Sequence, residues 1–185
     1  MKVVVGISGA SGAIYGIRIL EALKAVKVES HLILSGTART TIEYETEYKI
    51  EDVTQLATKV YDNKNLGAAI SSGSYKVDGM VIAPCSIKTL SGIANSYNVD
   101  LMTRAADVSL KERRKLVLMV RETPLHLGHL NHMTTVAQIG GIILPPVPSF
   151  YHHPKTVDDI IDQSVQKALD QFGIEANLFN RWVGI

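Results

Sequence analysis

Several short stretches of this chain combine glycine, hydroxyl and charged residues in ways that packing alone does not demand. Ser8-Gly9-Ala10-Ser11-Gly12-Ala13 follows an apolar run and leads straight into a helical pattern. Small residues there let backbone N–H groups approach an anion, and the helix N-terminus adds its dipole. The stretch meets neither G-x-G-x-x-G nor G-x-x-x-x-G-K-[ST], so a tight strand-to-helix turn explains it as well. Ser35 stands where an NAD-binding domain places an acid for the ribose, which points to a mononucleotide instead. Pro84-Cys85-Ser86-Ile87-Lys88-Thr89 offers two hydroxyls, a lysine and a following helix N-terminus: a second anion cradle, or a capped helix with a solvated lysine. Arg121-Glu122-Thr123-Pro124 sets a charged pair at the mouth of an apolar run, where burial without partners is costly: a functional pair, or a structural ion pair. Pro145 to His153 is a stiff loop carrying Phe150, Tyr151, His152 and His153.

Other signals point to packing. His126, His129 and His132 are spaced so that the outer two lie roughly 120° apart around a helix, and no H-E-x-x-H is present; no metal site is expected. Lys111-Glu112-Arg113-Arg114 closes a helical pattern, where cations suit the dipole. Cys85, the single cysteine, reads as a small buried hydrophobe and excludes a disulfide scaffold. Lys plus Arg is 19 against 18 for Asp plus Glu, so there is no global basic field for nucleic acid. The run Met1-Lys2-Val3-Val4-Val5-Gly6 is shorter than a secretion-signal core, and no stretch approaches a membrane span. A soluble cytoplasmic protein is the expectation.

Elements must bring these stretches together. Strands are expected at Lys2 to Ile7, Ser30 to Leu34, Gly79 to Ala83 (stopped by Pro84), Lys115 to Val120 and Gly141 to Leu144. Helices are expected at Ala13 to Val26, Thr37 to Lys59 with a break near Glu47 to Ile50, Ser86 to Asn95, Leu101 to Arg113, and Leu127 to Ile139 with Leu127, Leu130, Met133 and Ala137 along it. Thr156 caps a last helix whose buried stripe is Val157, Ile160, Ile161, Val165, Ala168 and Leu169, ended by Gly173. Alternating strand and helix over 185 residues means one α/β domain: three layers, a doubly wound parallel sheet, with residues 174–185 as a C-terminal tail. Such sheets bind ligands outside the carboxyl ends of their strands, which is where the chemistry-bearing stretches fall.

Taken in order, Val5 to Ala13, Ala83 to Leu90, Arg104-Ala105-Ala106-Asp107-Val108 through Arg114, Val120 to Pro124 and Phe150-Tyr151-His152 resemble the UbiX-type flavin prenyltransferases, formerly described as aromatic-acid decarboxylases. The resemblance spans nearly the whole chain. It implies a Rossmann/flavodoxin-like subunit that binds reduced FMN and assembles as a homo-oligomer, a dodecamer built of trimers. Such an enzyme joins a dimethylallyl group to N5 and C6 of the flavin without a metal, and the prenylated FMN serves a partner decarboxylase. Carried over by position, Gly9, Ala10, Ser11, Ser35, Ser86, Ile87, Lys88, Thr89 and Arg121 hold FMN, with Ser11 also near its reacting edge. Lys111, Arg121, Tyr151 and Lys167 bind dimethylallyl phosphate, and Glu122 is the acid at the leaving phosphate. Glu45 matches a glutamate that reaches the flavin from a neighbouring subunit, and Trp182 a tail aromatic that closes the site. Lys167 stands where some members carry arginine, keeping the charge but not the planar fork. Two alternatives share the resemblance: an FMN-dependent cysteine decarboxylase, which the clustered cations disfavour, and a non-catalytic flavin-carrier subunit of a decarboxylase complex.

Overall fold

The computed structural model describes residues 1–184. Valine- and leucine-rich runs with no outward polar alternation form strands covered on both faces. These are β1 (Lys2–Ile7), β2 (Glu29–Leu34), β4 (Gly79–Cys85) and β5 (Lys115–Val120), with the short edge strands β3 (Lys59–Asp62) and β6 (Ile142–Ile143). All pair in parallel, in the order β3-β2-β1-β4-β5-β6. Without the edge strand β3, this is the flavodoxin arrangement, with the topological switch between β1 and β4.

Side-chain alternation along each strand divides the core in two. Val3, Val5 and Ile7 face one layer, which holds α1 (Ala13–Ala25), α2 (Gly36–Glu45), α3 (Ile50–Leu56) and α7 (Val157–Asp170). Val4, Ile33, Met80 and Ile82 face the other, with α4 (Ile87–Ala94), α5 (Leu101–Lys111) and α6 (Leu127–Gln138). Thr156 caps α7 as expected: its hydroxyl accepts the Asp159 N–H at 3.2 Å, and the Asp159 carboxylate returns to the Thr156 N–H at 2.8 Å. Among the described residues no helix is long and apolar enough to cross a membrane.

Several boundaries differ from expectation. The chain after Leu56 turns into strand β3 instead of continuing as helix to Lys59, because Val60 and Tyr61 pair beside Leu32 and Ile33. Strand β4 runs through Pro84 to Cys85, with its pairing to β5 shifting register between Ile82 and Cys85. Proline is tolerated where the ladder is already interrupted. The fifth expected strand shrinks to Ile142–Ile143. Val157 is 73% exposed, so the buried stripe of α7 begins a turn later. Leu127 and Leu130 are exposed too, and Val136 is the one fully buried side chain of α6.

A buried polar network closes the amino edge of the sheet. His31, 1% exposed, contacts Tyr61 Oη through Nδ1 at 2.9 Å and Glu29 Oε1 through Nε2 at 2.8 Å. Burial first, then Tyr75, pushes the Tyr61 phenol up to about 12. Hydrogen bonding to His31 holds the Glu29 carboxyl below the usual range. His31 thus ties β2 to β3 and is spent on structure.

Candidate functional site

The carboxyl ends of β1, β2, β3 and β4 open into a cavity of about 1020 Å³ lined by Gly9, Ser35, Thr37, Asn63, Ser86 and Thr89, among others. Two helices start there. Ser35 caps α2, its hydroxyl accepting the Ala38 N–H at 3.0 Å, and Ser86 caps α4, accepting from Thr89 N at 3.3 Å. Their N-termini and the α1 turn aim unpaired backbone donors at one space, the electrostatics an anionic group requires. Buried Ser8 joins the walls: its Oγ donates to Pro84 O at 2.7 Å and accepts the Ser86 N–H at 2.8 Å.

The glycines of the first loop have separate reasons. Gly12, the N-cap of α1, has φ 96° and supplies the left-handed turn. A Cβ on Gly9 would stand 2.6 Å from the methyl of Thr37, so the closeness of β1 and α2 leaves room for backbone only. The Gly12 N–H donates to Glu45 Oε2 at 2.7 Å, placing the end of α2 on the first loop of its own subunit.

The expected site residues fall into three places. Gly9, Ser35, Ser86, Lys88 and Thr89 line the cavity, and Ala10 and Ser11 continue its first loop. Ile87 is half-buried against the second core, and Lys88 is exposed at the rim. Arg121 and Glu122 lie one strand along: Arg121 N donates to Cys85 O at 3.1 Å, and Glu122 Oε1 accepts from Thr123 N at 3.0 Å. Both side chains are exposed, so any burial of Glu122 comes from outside this subunit.

A second place is the flank of α7. Tyr151 Oη accepts from Gln163 at 3.2 Å, one turn from Lys167 on the same helix face. The Tyr151 ring meets those of Phe179 and Trp182 edge-on at 6.4 and 6.2 Å. Arg181 clamps this tail to α7 by bonding both oxygens of Asp170, at 2.6 and 3.0 Å. The clamp holds the Asp170 carboxyl below the usual range, Arg181 being the main cause. A group lowered on docking stabilises the docked tail above the unfolded value, near pH 4, and loses that contribution as pH falls through the folded one. Trp182 is the chain's single tryptophan, so Asp170→Asn is expected to red-shift its emission at pH 7 as acid does to the wild type. Unshifted fluorescence in both would detach Arg181 from tail docking.

The third place is Lys111, at the end of α5 on the amino edge of the sheet. The strand β5 separates it from Arg121 by roughly 20 Å at 3.3 Å per residue. A single subunit therefore does not assemble Lys111, Arg121, Tyr151 and Lys167 around one phosphate.

The Flavoprotein family profile matches residues 1–169. The chain is 63% identical to the flavin prenyltransferase UbiX of Thauera aromatica over 184 residues, covering 100% of this chain and 95% of that protein. The chain belongs to the UbiX-type flavin prenyltransferase family. Its fold superposes on the crystal structure of AnUbiX (PadA1) in complex with FMN and dimethylallyl pyrophosphate with a TM-score of 0.98 at 47% identity, covering 100% of this chain and 98% of that one. A dodecameric FMN-dependent UbiX-like decarboxylase from Escherichia coli O157:H7 gives 0.97 at 49% identity, covering 100% of both chains.

Within that family frame, sequence reasoning missed part of the cavity wall. Thr37, Asn63, Tyr97, Asp100 and Met102 line it without belonging to any stretch singled out above. Asn63 follows β3, a strand the sequence reading did not expect, and its side chain and carbonyl secure the start of α5 by accepting from Met102 N at 2.9 Å and Leu101 N at 2.8 Å. His126 Nδ1 accepts the Gly128 N–H at 3.0 Å as the N-cap of α6, and its ring lies tilted against that of His129 with centroids 3.6 Å apart. Burial pushes the Cys85 thiol up, leaving it inert.

Proposed function

We propose that this protein is a metal-independent flavin prenyltransferase that moves a dimethylallyl group from dimethylallyl phosphate to N5 and C6 of reduced FMN, making prenylated FMN for a partner decarboxylase. The observation that carries the reading is the three-sided cradle at the switch between β1 and β4, in a chain that matches an FMN- and dimethylallyl pyrophosphate-bound relative along its full length. The cradle fits FMN: Gly9 has no room for a side chain, Ser35 and Ser86 open helices toward the cavity, and the volume accepts a mononucleotide. Gly9, Ala10, Ser11, Ser35, Ser86 to Thr89 and Arg121 would hold it. Bound reduced FMN supplies the two nucleophilic atoms, N5 and C6.

The remaining work falls to charged and aromatic side chains. Lys111, Arg121 and Lys167 stabilise the negative charge that develops as the allylic C–O bond breaks, a contribution largest where water is excluded. Glu122 donates a proton to the departing phosphate. Tyr151 and Trp182 offer π faces to the cationic allyl fragment. Because these groups occupy three places in one subunit, the working site is completed between copies. Exposed Tyr44, Leu127, Leu130 and Phe150 supply apolar surface for such contacts, in keeping with a homo-oligomer and, as in the E. coli relative, a dodecamer.

Anaerobic incubation with reduced FMN and dimethylallyl phosphate, followed by mass spectrometry of the extracted flavin, tests the activity. The flavin is expected to gain one C5 prenyl unit. Unmodified FMN would reduce the protein to a flavin binder.

A further inference from the structure

At the amino edge of the sheet, Lys111 Nζ is bonded to Glu112 Oε1, and both lie against Gly73 in the loop between β3 and β4. A Cβ built on Gly73 would stand 2.8 Å from Lys111 Nζ and 2.7 Å from the Glu112 carboxyl carbon, distances that real Cβ atoms essentially never show. The loop is pinned from beneath. Arg104 Nε donates to Ser71 O at 3.1 Å, while Arg114 donates to Gly73 O at 2.6 Å and to Tyr75 O at 3.0 Å. One side of the ammonium is thus seated, and the other, with the Lys111 side chain 48% exposed, is open.

A free lysine samples many rotamers and loses them on binding, so a lysine already held in place binds an anion at lower entropic cost. Its ammonium carries three donors, and Glu112 takes one. Lys111 first, then Arg114 and Lys76, holds the Glu112 carboxyl below the usual range, so Glu112 remains a carboxylate facing the ammonium. We propose that Glu112 and the side-chain-free Gly73 are positioning residues that aim Lys111 outward, toward the phosphate of the allyl substrate at a junction with another subunit. This rests on the phosphate-binding role proposed above for Lys111.

Gly73 has no left-handed φ, and the atoms an alanine would displace are the ends of flexible side chains. Gly73→Ala therefore moves the pair without opposing the fold. In the assembled, FMN-loaded enzyme it is expected to raise KM for dimethylallyl monophosphate about tenfold, the scale of one charge-assisted hydrogen bond, with FMN affinity within about twofold of wild type. Glu112→Gln is expected to raise KM in the same direction, and it replaces Gly73→Ala should that variant not assemble. Lys111→Ala raises KM at least as much, and adding Gly73→Ala to it changes nothing further. An additive loss in the double variant would make Gly73 merely structural and overturn the proposal. A wild-type KM in Gly73→Ala and Glu112→Gln alongside a raised KM in Lys111→Ala would overturn the seat and leave the lysine's role standing. A wild-type KM in Lys111→Ala would overturn both.

Discussion

Glu122→Gln leaves FMN bound and slows prenylation by roughly 10²–10⁴-fold, the usual contribution of a positioned general acid. The substitution removes a proton donor and little else. Glutamine keeps an oxygen to accept the Thr123 N–H that Glu122 Oε1 accepts at 3.0 Å, so the loop keeps its local bond. The loop's start is also fixed, through the Arg121 N–H on Cys85 O at 3.1 Å, beside the capped N-terminus of α4. FMN affinity, measured by flavin fluorescence, therefore stays near wild type while single-turnover rates fall. Undiminished turnover would assign the phosphate proton to another group.

Gly9→Val should weaken FMN binding by about 10–100-fold, the effect of forcing a branched side chain into close-packed space. Its Cβ would lie 2.6 Å from the Thr37 methyl, in the first turn of α2. Relief requires α2 to swing away from β1, which separates two of the three walls of the cradle. Gly9 has no positive φ, so the loss is steric and spares the strand itself. Titration with FMN reads it directly. Wild-type affinity would mean that the flavin does not approach this turn.

Much of this arrangement was legible in the sequence because strand ends and helix starts carry local chemistry. Ser35, Ser86 and Thr156 each follow a β-rich or loop stretch and precede a helical stripe, and each caps the helix it announces. The edge strand β3 was illegible: Lys59-Val60-Tyr61-Asp62 has two charged residues in four, and only pairing beside β2 makes it a strand. Leu127 and Leu130 read as a core stripe because periodicity records an apolar face and not what covers it. The far wall of the cavity, Tyr97 to Thr103, was hidden for a different reason. It belongs to the connection from α4 to α5 and to the first turn of α5, not to the end of a strand. Least legible was the separation of Lys111 from Arg121. The resemblance assigns a neighbouring copy to Glu45 but places Lys111 and Arg121 at one phosphate without saying which copy supplies each.

That separation sets the most direct measurement. Lys111→Ala subunits, impaired at subsaturating dimethylallyl phosphate by their raised KM, and Glu122→Gln subunits, nearly inactive alone, are dissociated, mixed and reassembled with reduced FMN and subsaturating dimethylallyl phosphate, and prenylated flavin is quantified by mass. A flavin prenyltransferase whose site joins Lys111 of one copy to Arg121 and Glu122 of another recovers activity in the mixed oligomer, because some junctions receive both intact residues. Mixtures no more active than the two variants measured apart would contradict a site completed between copies.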